Sequence, residues 1–147
     1  MAKRILLPLD QSHAAECVVP FVADAARGSQ AAVRLLHVAP VPTGWDDEEG
    51  RTVVYADQEM QRLEAEGLDY LRTIETQFGD APVECVIRFG DPVTEVLAEA
   101  EAFDADLIAV STVGRSGVSR VILGSVAEQV FRKSKAPVML MRPGRTM

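Results

Sequence analysis

Short apolar runs alternate in this chain with longer segments whose apolar residues return at helical spacing, and that alternation restricts the fold to very few choices. The first run, residues 4–9 (RILLPL), is apolar without alternation and closes at Pro8 and Asp10, which marks a strand buried on both faces. Residues 33–38 (VRLLHV), 83–89, 107–110 and 137–141 read as four further strands. Between the first two, residues 12–27 read as a helix capped by Ser12 and stopped by Gly28, with Pro20 imposing a kink or a late start. Met60, Leu63, Gly67, Leu71, Ile74 and Phe78 trace one face of a long second helix that ends at Gly79. Asp91 caps a third, with Pro92 in its first turn and Val93, Val96, Leu97, Ala100 and Phe103 on one face. Residues 125–133 form a fourth. Strands alternating with helices in this way predict a single α/β domain, a five-stranded parallel sheet with helices on both faces joined by right-handed crossovers.

The remaining bulk properties narrow the function classes. A chain of 147 residues buries a core without metal or disulfide staples. No apolar run approaches the roughly 18 residues that cross a bilayer, so no membrane insertion is expected. Cys17 and Cys85 form no C-x-x-C pair and read as small buried hydrophobes in a reducing cytoplasm. A net charge of −7 argues against nucleic acid, whose binding is dominated by neutralising phosphates with Lys and Arg. The charge is uneven, however. From residue 111 onward there are seven basic residues (Arg115, Arg120, Arg132, Lys133, Lys135, Arg142, Arg145) against Glu128 alone, a basic quarter suited to a small anion.

In doubly wound sheets ligands bind beyond the carboxyl ends of the strands, which directs attention to loops 8–12, 38–55, 89–92 and 111–125. The last runs STVGRSGVSRVILGS from Ser111 to Ser125 and leads into a helix. Its glycines let backbone approach an anion, and the free amides of a helix start supply donors at a positive dipole end. Ser125 and Glu128 also fit a capping box, with the serine hydroxyl accepting from the amide of 128.

Absent signatures remove several mechanisms. There is no G-x-x-x-x-G-K-[ST] and no G-x-G-x-x-G after the first strand, so neither P-loop chemistry nor dinucleotide binding is indicated. Around Ser116 the chain misses the nucleophile elbow, because Val118 fills the final glycine position. His13 and His37 lie on different elements, and His37, inside a strand, reads as a hydrogen-bonded core residue rather than a base or metal ligand.

Taken together, ILLPLDQS at the start, LLHV in strand two, GDP before helix three, DLIAVSTVGRSG and the block VSRVILGSVAEQVFRKSKAPVMLMRP resemble the universal stress protein family, A type, over nearly the whole chain. The resemblance implies one universal stress protein domain over 1–147, a Rossmann-like parallel sheet in the order 3-2-1-4-5 and a homodimer. For one subgroup it also implies ATP binding through a motif of Gly, two residues, Gly, nine residues, Gly and Ser or Thr. Gly114, the nine residues 115–123, Gly124 and Ser125 match that motif, while Ser111 replaces its first glycine and crowds the ribose or diphosphate. Carried over residue by residue, Pro8, Leu9 and Asp10 lie beside the adenosine, Asp10 accepting from the ribose hydroxyls, and Val38 contacts adenine. Gly114, Gly124, Ser125 and Val126 face the phosphates, and Ser111 and Arg115 belong to the same ligand-binding set.

The resulting expectation is a cytoplasmic stress-response regulator that binds ATP, alone or with Mg, or AMP or another adenine nucleotide. It acts as a homodimer paired through the apolar edge strand 138–141 and contacts a further protein partner. Any hydrolysis is slow, for want of the charge-stabilising groups that phosphoryl transfer requires. A dimeric interaction module that has lost nucleotide binding is the alternative. A phospho-accepting receiver using Asp91 fits worse, since it lacks an acidic pair after strand one and has Arg142 where a strand-five lysine belongs.

Overall fold

A computed structural model describes residues 3–42, 52–113 and 124–143. Five strands, β1 (Arg4–Pro8), β2 (Ala32–Ala39), β3 (Val83–Phe89), β4 (Leu107–Ser111) and β5 (Val138–Met141), form one parallel sheet in the order β3-β2-β1-β4-β5. The apolar runs are explained by burial from both sides. Ile5, Leu7 and Leu9 join Val33 and Leu35 in one core layer beneath α1 (Val19–Ser29) and α2 (Thr52–Glu75). Leu6 and Leu36 point the other way, with Ile108 and Val110, under α3 (Pro92–Phe103) and α4 (Ser125–Lys133).

The helix ends follow local chemistry, with three departures from expectation. The first helix does not run from Ser12 to Arg27. Ser12 is the N-cap of neither helical segment: its Oγ accepts from the Ala15 amide at 3.1 Å just ahead of a 3-10 turn, Ala15–Val18, whose N-cap is Ala14, and α1 then starts at Val19 with Pro20 in its first turn, where a missing N–H costs nothing. Its stop is Gln30, in left-handed conformation at φ 57°, two residues beyond Gly28. The second helix begins earlier than expected, at Thr52, so α2 takes up part of the 38–55 loop. It passes through a 3-10 turn (Thr76–Phe78) to Gly79, whose φ of +59° explains the glycine there. The third departure concerns α4. Its N-cap is Gly124, which makes no side-chain cap, and the Glu128 amide donates to the Gly124 carbonyl at 2.9 Å. Ser125 therefore occupies the first helical position, one residue too late to close a capping box with Glu128.

Asp91 caps α3 as expected, its Oδ2 accepting from the Thr94 amide at 3.0 Å and the Thr94 hydroxyl at 2.9 Å. Those bonds hold its carboxyl below the ordinary range. A carboxylate so engaged is a helix cap, which fits the receiver reading poorly. Neither cysteine is fully buried. Both pack half-covered against the α1–α2 core layer, and burial together with Glu75 pushes the Cys85 thiol up to about 11.

α3 presses a buried acid onto the α3–α4 face of the sheet. Glu99 is 4% exposed and accepts from Arg34 Nη1 at 2.7 Å and Arg88 Nε at 2.8 Å, while the Arg34 guanidinium stacks 4.2 Å from the Phe103 ring centroid. Burial alone would raise the Glu99 carboxyl, but the bonds from Arg88 and Arg34 outweigh it and hold the group below its ordinary 4.5. A depressed carboxyl contributes stability that is complete at neutral pH and is lost as pH falls through the folded value. Glu99→Gln is accordingly expected to cost about 1–3 kcal/mol in urea melts at neutral pH, because the two guanidinium groups lose their most buried counter-charge and keep Glu84 at 3.2 Å from Arg34 and Glu95 at 3.1 Å from Arg88. The variant should also lose less stability than wild type between about pH 5 and 3. Parallel stability curves for the two proteins over that interval would show that the triad does not supply the acid sensitivity.

Candidate functional site

The topology opens a crevice where β1 and β4 part. β1 pairs with β2 over five positions, Arg4–Pro8 against 32–36, but with β4 only at Ile5–Leu107 and Leu6–Ile108. Beyond those residues the chain after β1 keeps to β2, the Leu9 amide donating to the Leu36 carbonyl at 2.8 Å. β4 follows β5 instead, with the Thr112 amide donating to the Met141 carbonyl at 2.9 Å. The two carboxyl ends are thus drawn toward opposite neighbours, and the space between them is the switch point of the sheet.

One wall is the loop after β1. Asp10 Oδ1 accepts from the Ser12 amide at 3.0 Å and from the Ser12 hydroxyl at 2.5 Å, turning the carboxylate along its own loop. Gln11 has a φ of 68°, uncommon for a residue with a Cβ. His37, 8% exposed, sits below: its Nδ1 donates to the Leu9 carbonyl at 2.9 Å and its Nε2 lies 3.4 Å from Gln11 Nε2. It is the hydrogen-bonded core histidine expected from its strand. Pro8 and Asp10 are half-buried at this wall, while Leu9, 3% exposed, sends its side chain into the α1–α2 core. Val38 is the penultimate residue of β2, half-buried on the α3–α4 face.

The opposite wall is the junction of β4 and α4. Ser111 Oγ donates to the Val113 carbonyl at 2.8 Å and accepts from the Val113 amide at 3.2 Å, with the Cys17 thiol 3.8 Å away. The Gly124 amide then donates to the Thr112 carbonyl at 2.7 Å, which ties the residues on either side of 114–123 together. Gly114 and Arg115 lie outside the described residues. α4 starts immediately after the tie, with Ser125 and Val126 exposed at its positive end, so its first-turn amides and dipole are brought to the crevice.

Pro8, Asp10, Val38, Ser111, Gly124, Ser125 and Val126 therefore lie at or next to the carboxyl ends of β1, β2 and β4 and the start of α4. Three neighbours went unread. Gln11 and Cys17 touch His37 and Ser111, and the Tyr70 hydroxyl from α2 is buried near Glu16 and Asp10. Burial first, then the carboxylates of Glu16 and Asp10, push the Tyr70 phenol well above its usual range. A Gln that adopts a left-handed turn carries no sequence signal, since glycine or asparagine would be expected there.

Comparison with known proteins agrees with the geometry. A putative universal stress protein, SSP1056, from Staphylococcus saprophyticus is 31% identical over 144 residues, covering 95% of this chain and 83% of the relative. Among solved structures, the protein MJ0577 superposes with a TM-score of 0.83 at 28% identity and 99% coverage of both chains. A universal stress protein in complex with cAMP gives a TM-score of 0.67 at 23% identity, covering 97% of this chain and 98% of the other. One from Archaeoglobus fulgidus in complex with dAMP gives 0.58 at 21% identity, covering 95% and 97%; at these identities the last two speak for the fold. The model of the universal stress protein family matches residues 1–142, and the chain belongs to that family.

Proposed function

We propose that this protein is a cytoplasmic stress-response regulator whose crevice binds ATP, alone or with Mg, or a related adenine nucleotide such as AMP, and whose occupancy controls the contacts of a homodimer with a protein partner. The observation that carries the reading is the Gly124 junction. A glycine tied to Thr112 at 2.7 Å delivers a helix N-terminus to the switch point of a parallel sheet, an arrangement suited to phosphate. Two proteins of the same fold were solved with cAMP and dAMP, which supports adenine as the base. In this reading Pro8, Leu9, Asp10 and Val38 face the adenosine, Leu9 through its backbone, Gly114, Gly124, Ser125 and Val126 face the phosphates, and Ser111 and Arg115 belong to the same ligand-binding set. The role is binding, and any hydrolysis is slow. No helix among the described residues is long and apolar enough to cross a membrane.

Gly124 has φ −58° and ψ 147°, angles open to any residue, so a larger side chain there blocks the approach of phosphate without straining the backbone. Gly124→Val should therefore abolish ATP binding in calorimetry while far-UV circular dichroism stays unchanged. Unaltered binding would remove the phosphate site from this junction.

Ser111 has two separable effects. Its hydroxyl fastens Val113 at the start of the loop, whereas its Cβ, in this reading, crowds the ligand where the family motif has a glycine. Ser111→Ala should weaken nucleotide binding about fivefold through loss of the fastening. Ser111→Gly, which also removes the Cβ, should bind more tightly than Ser111→Ala. Equal affinities of the two variants would eliminate crowding at this position.

In this reading the dimer forms through β5, an edge strand without a charged side chain, whose four residues are half-buried. An uncharged edge offers unpaired backbone groups to a second copy, and antiparallel pairing about a twofold axis closes the contact. Leu140 packs half-buried against the α3–α4 core layer beside that edge, so Leu140→Lys should convert a dimer into monomer by light scattering, with unchanged far-UV circular dichroism showing that the fold survives the charge. A wild type of single-chain mass at micromolar concentration would reject the interface.

A further inference from the structure

We infer that His37 and Gln11 are positioning residues for the adenosine end of the crevice, clamping the β1 loop on both sides of Asp10; the inference rests on the adenine-nucleotide reading above. Leu9 is fixed twice, by its amide on the Leu36 carbonyl at 2.8 Å and by its carbonyl on His37 Nδ1 at 2.9 Å. With its Nδ1 proton committed to Leu9, the imidazole presents Nε2 as an acceptor, and the Gln11 carboxamide nitrogen lies 3.4 Å from it. One buried ring therefore binds the residue before Asp10 through its backbone and the residue after it through its side chain.

The ring has little freedom to move. It is 8% exposed, and α2 presses on it at Gly67, where an added Cβ would lie 3.3 Å from His37 Cδ2 and 2.7 Å from Ile87 Cδ1. An ordinary helix interior disfavours glycine, so its presence at this contact reflects the close approach of α2 to β2 and β3.

The backbone of Gln11 bears on the same point independently. It is left-handed, a conformation that glycine adopts without penalty and glutamine does not. If the loop needed only the turn, the side chain would be a handicap. Contact with His37 lets that side chain hold Asp10, whose carboxylate already leans on Ser12, in one orientation before ligand arrives. Preorganisation of this kind raises affinity by removing an ordering cost from the binding step.

The backbone role of Gln11 is thus separable from its side-chain role. Gln11→Gly relaxes the turn, so the thermal midpoint should stay level or rise, yet it releases the clamp. Calorimetric titration of the nucleotide-free full chain should then show ATP and AMP both weakened by the same factor, about fivefold, since the lost contact serves the adenosine that both ligands share. His37→Phe should weaken both further. His37→Asn, whose amide nitrogen can stand near the position of Nδ1 and donate to Leu9, should recover part of that loss. A wild type that binds ATP, with Gln11→Gly binding both ligands as tightly, overturns the clamp alone. A larger loss for ATP than for AMP also overturns it, because the defect would then lie at the phosphates. A wild type that binds neither ligand overturns the nucleotide reading and the clamp together.

Discussion

The parting of β1 and β4 at the carboxyl edge of the sheet is the constraint on which the rest of the molecule depends. Parallel strands need crossovers, and right-handed crossovers place α1 and α2 on one face and α3 and α4 on the other. The chain must therefore turn outward in opposite directions on either side of the β1–β4 boundary. Backbone hydrogen bonds make the split concrete: Leu9 is held by Leu36 and Thr112 by Met141, so each loop is anchored to a strand on its own side. Any ligand in the crevice touches both halves of the domain at once.

Both loops are stiffened by short-range polar contacts. Asp10 with Ser12 and His37 with Leu9 and Gln11 shape one wall, and Ser111 with Val113 and Gly124 with Thr112 shape the other. Each such bond contributes only about 1 kcal/mol net, so its main effect is orientation more than stability. The Arg34–Glu99–Arg88 triad, by contrast, lies under α3 on the β2 and β3 side of the sheet. It joins strands that the apolar core covers less completely, as the partly exposed residues of β3 show.

Much of this was legible in the sequence because it rests on local chemistry. Apolar runs marked the strands, Asp91-Pro92 marked the start of α3, and Gly79 closed the turn after α2. The strand order was carried by the family resemblance, since spacing alone does not say which strand lies beside which. Elsewhere the sequence signal pointed to the wrong atom. Ser125 and Glu128 fit a capping box, but the tie from Gly124 to Thr112 starts the helix one residue earlier, and a tertiary bond of that kind leaves no periodic trace. Gly28 looked like a stop, whereas the chain continues to Gln30. Glu99, 4% exposed, was unreadable as a buried acid because its partner Arg34 is 65 residues distant. Gln11 was passed over because left-handed backbone is ordinarily signalled by glycine or asparagine.

Amide NMR shift mapping tests most directly whether two loops far apart in sequence form one adenine-nucleotide cleft. Titration of the isotopically labelled, nucleotide-free protein with ATP is predicted to move the amides of 9–12, 38 and 111–126 together along one saturating curve. Shifts confined to one loop, shifts on another face, or a spectrum unchanged at millimolar ATP would contradict it.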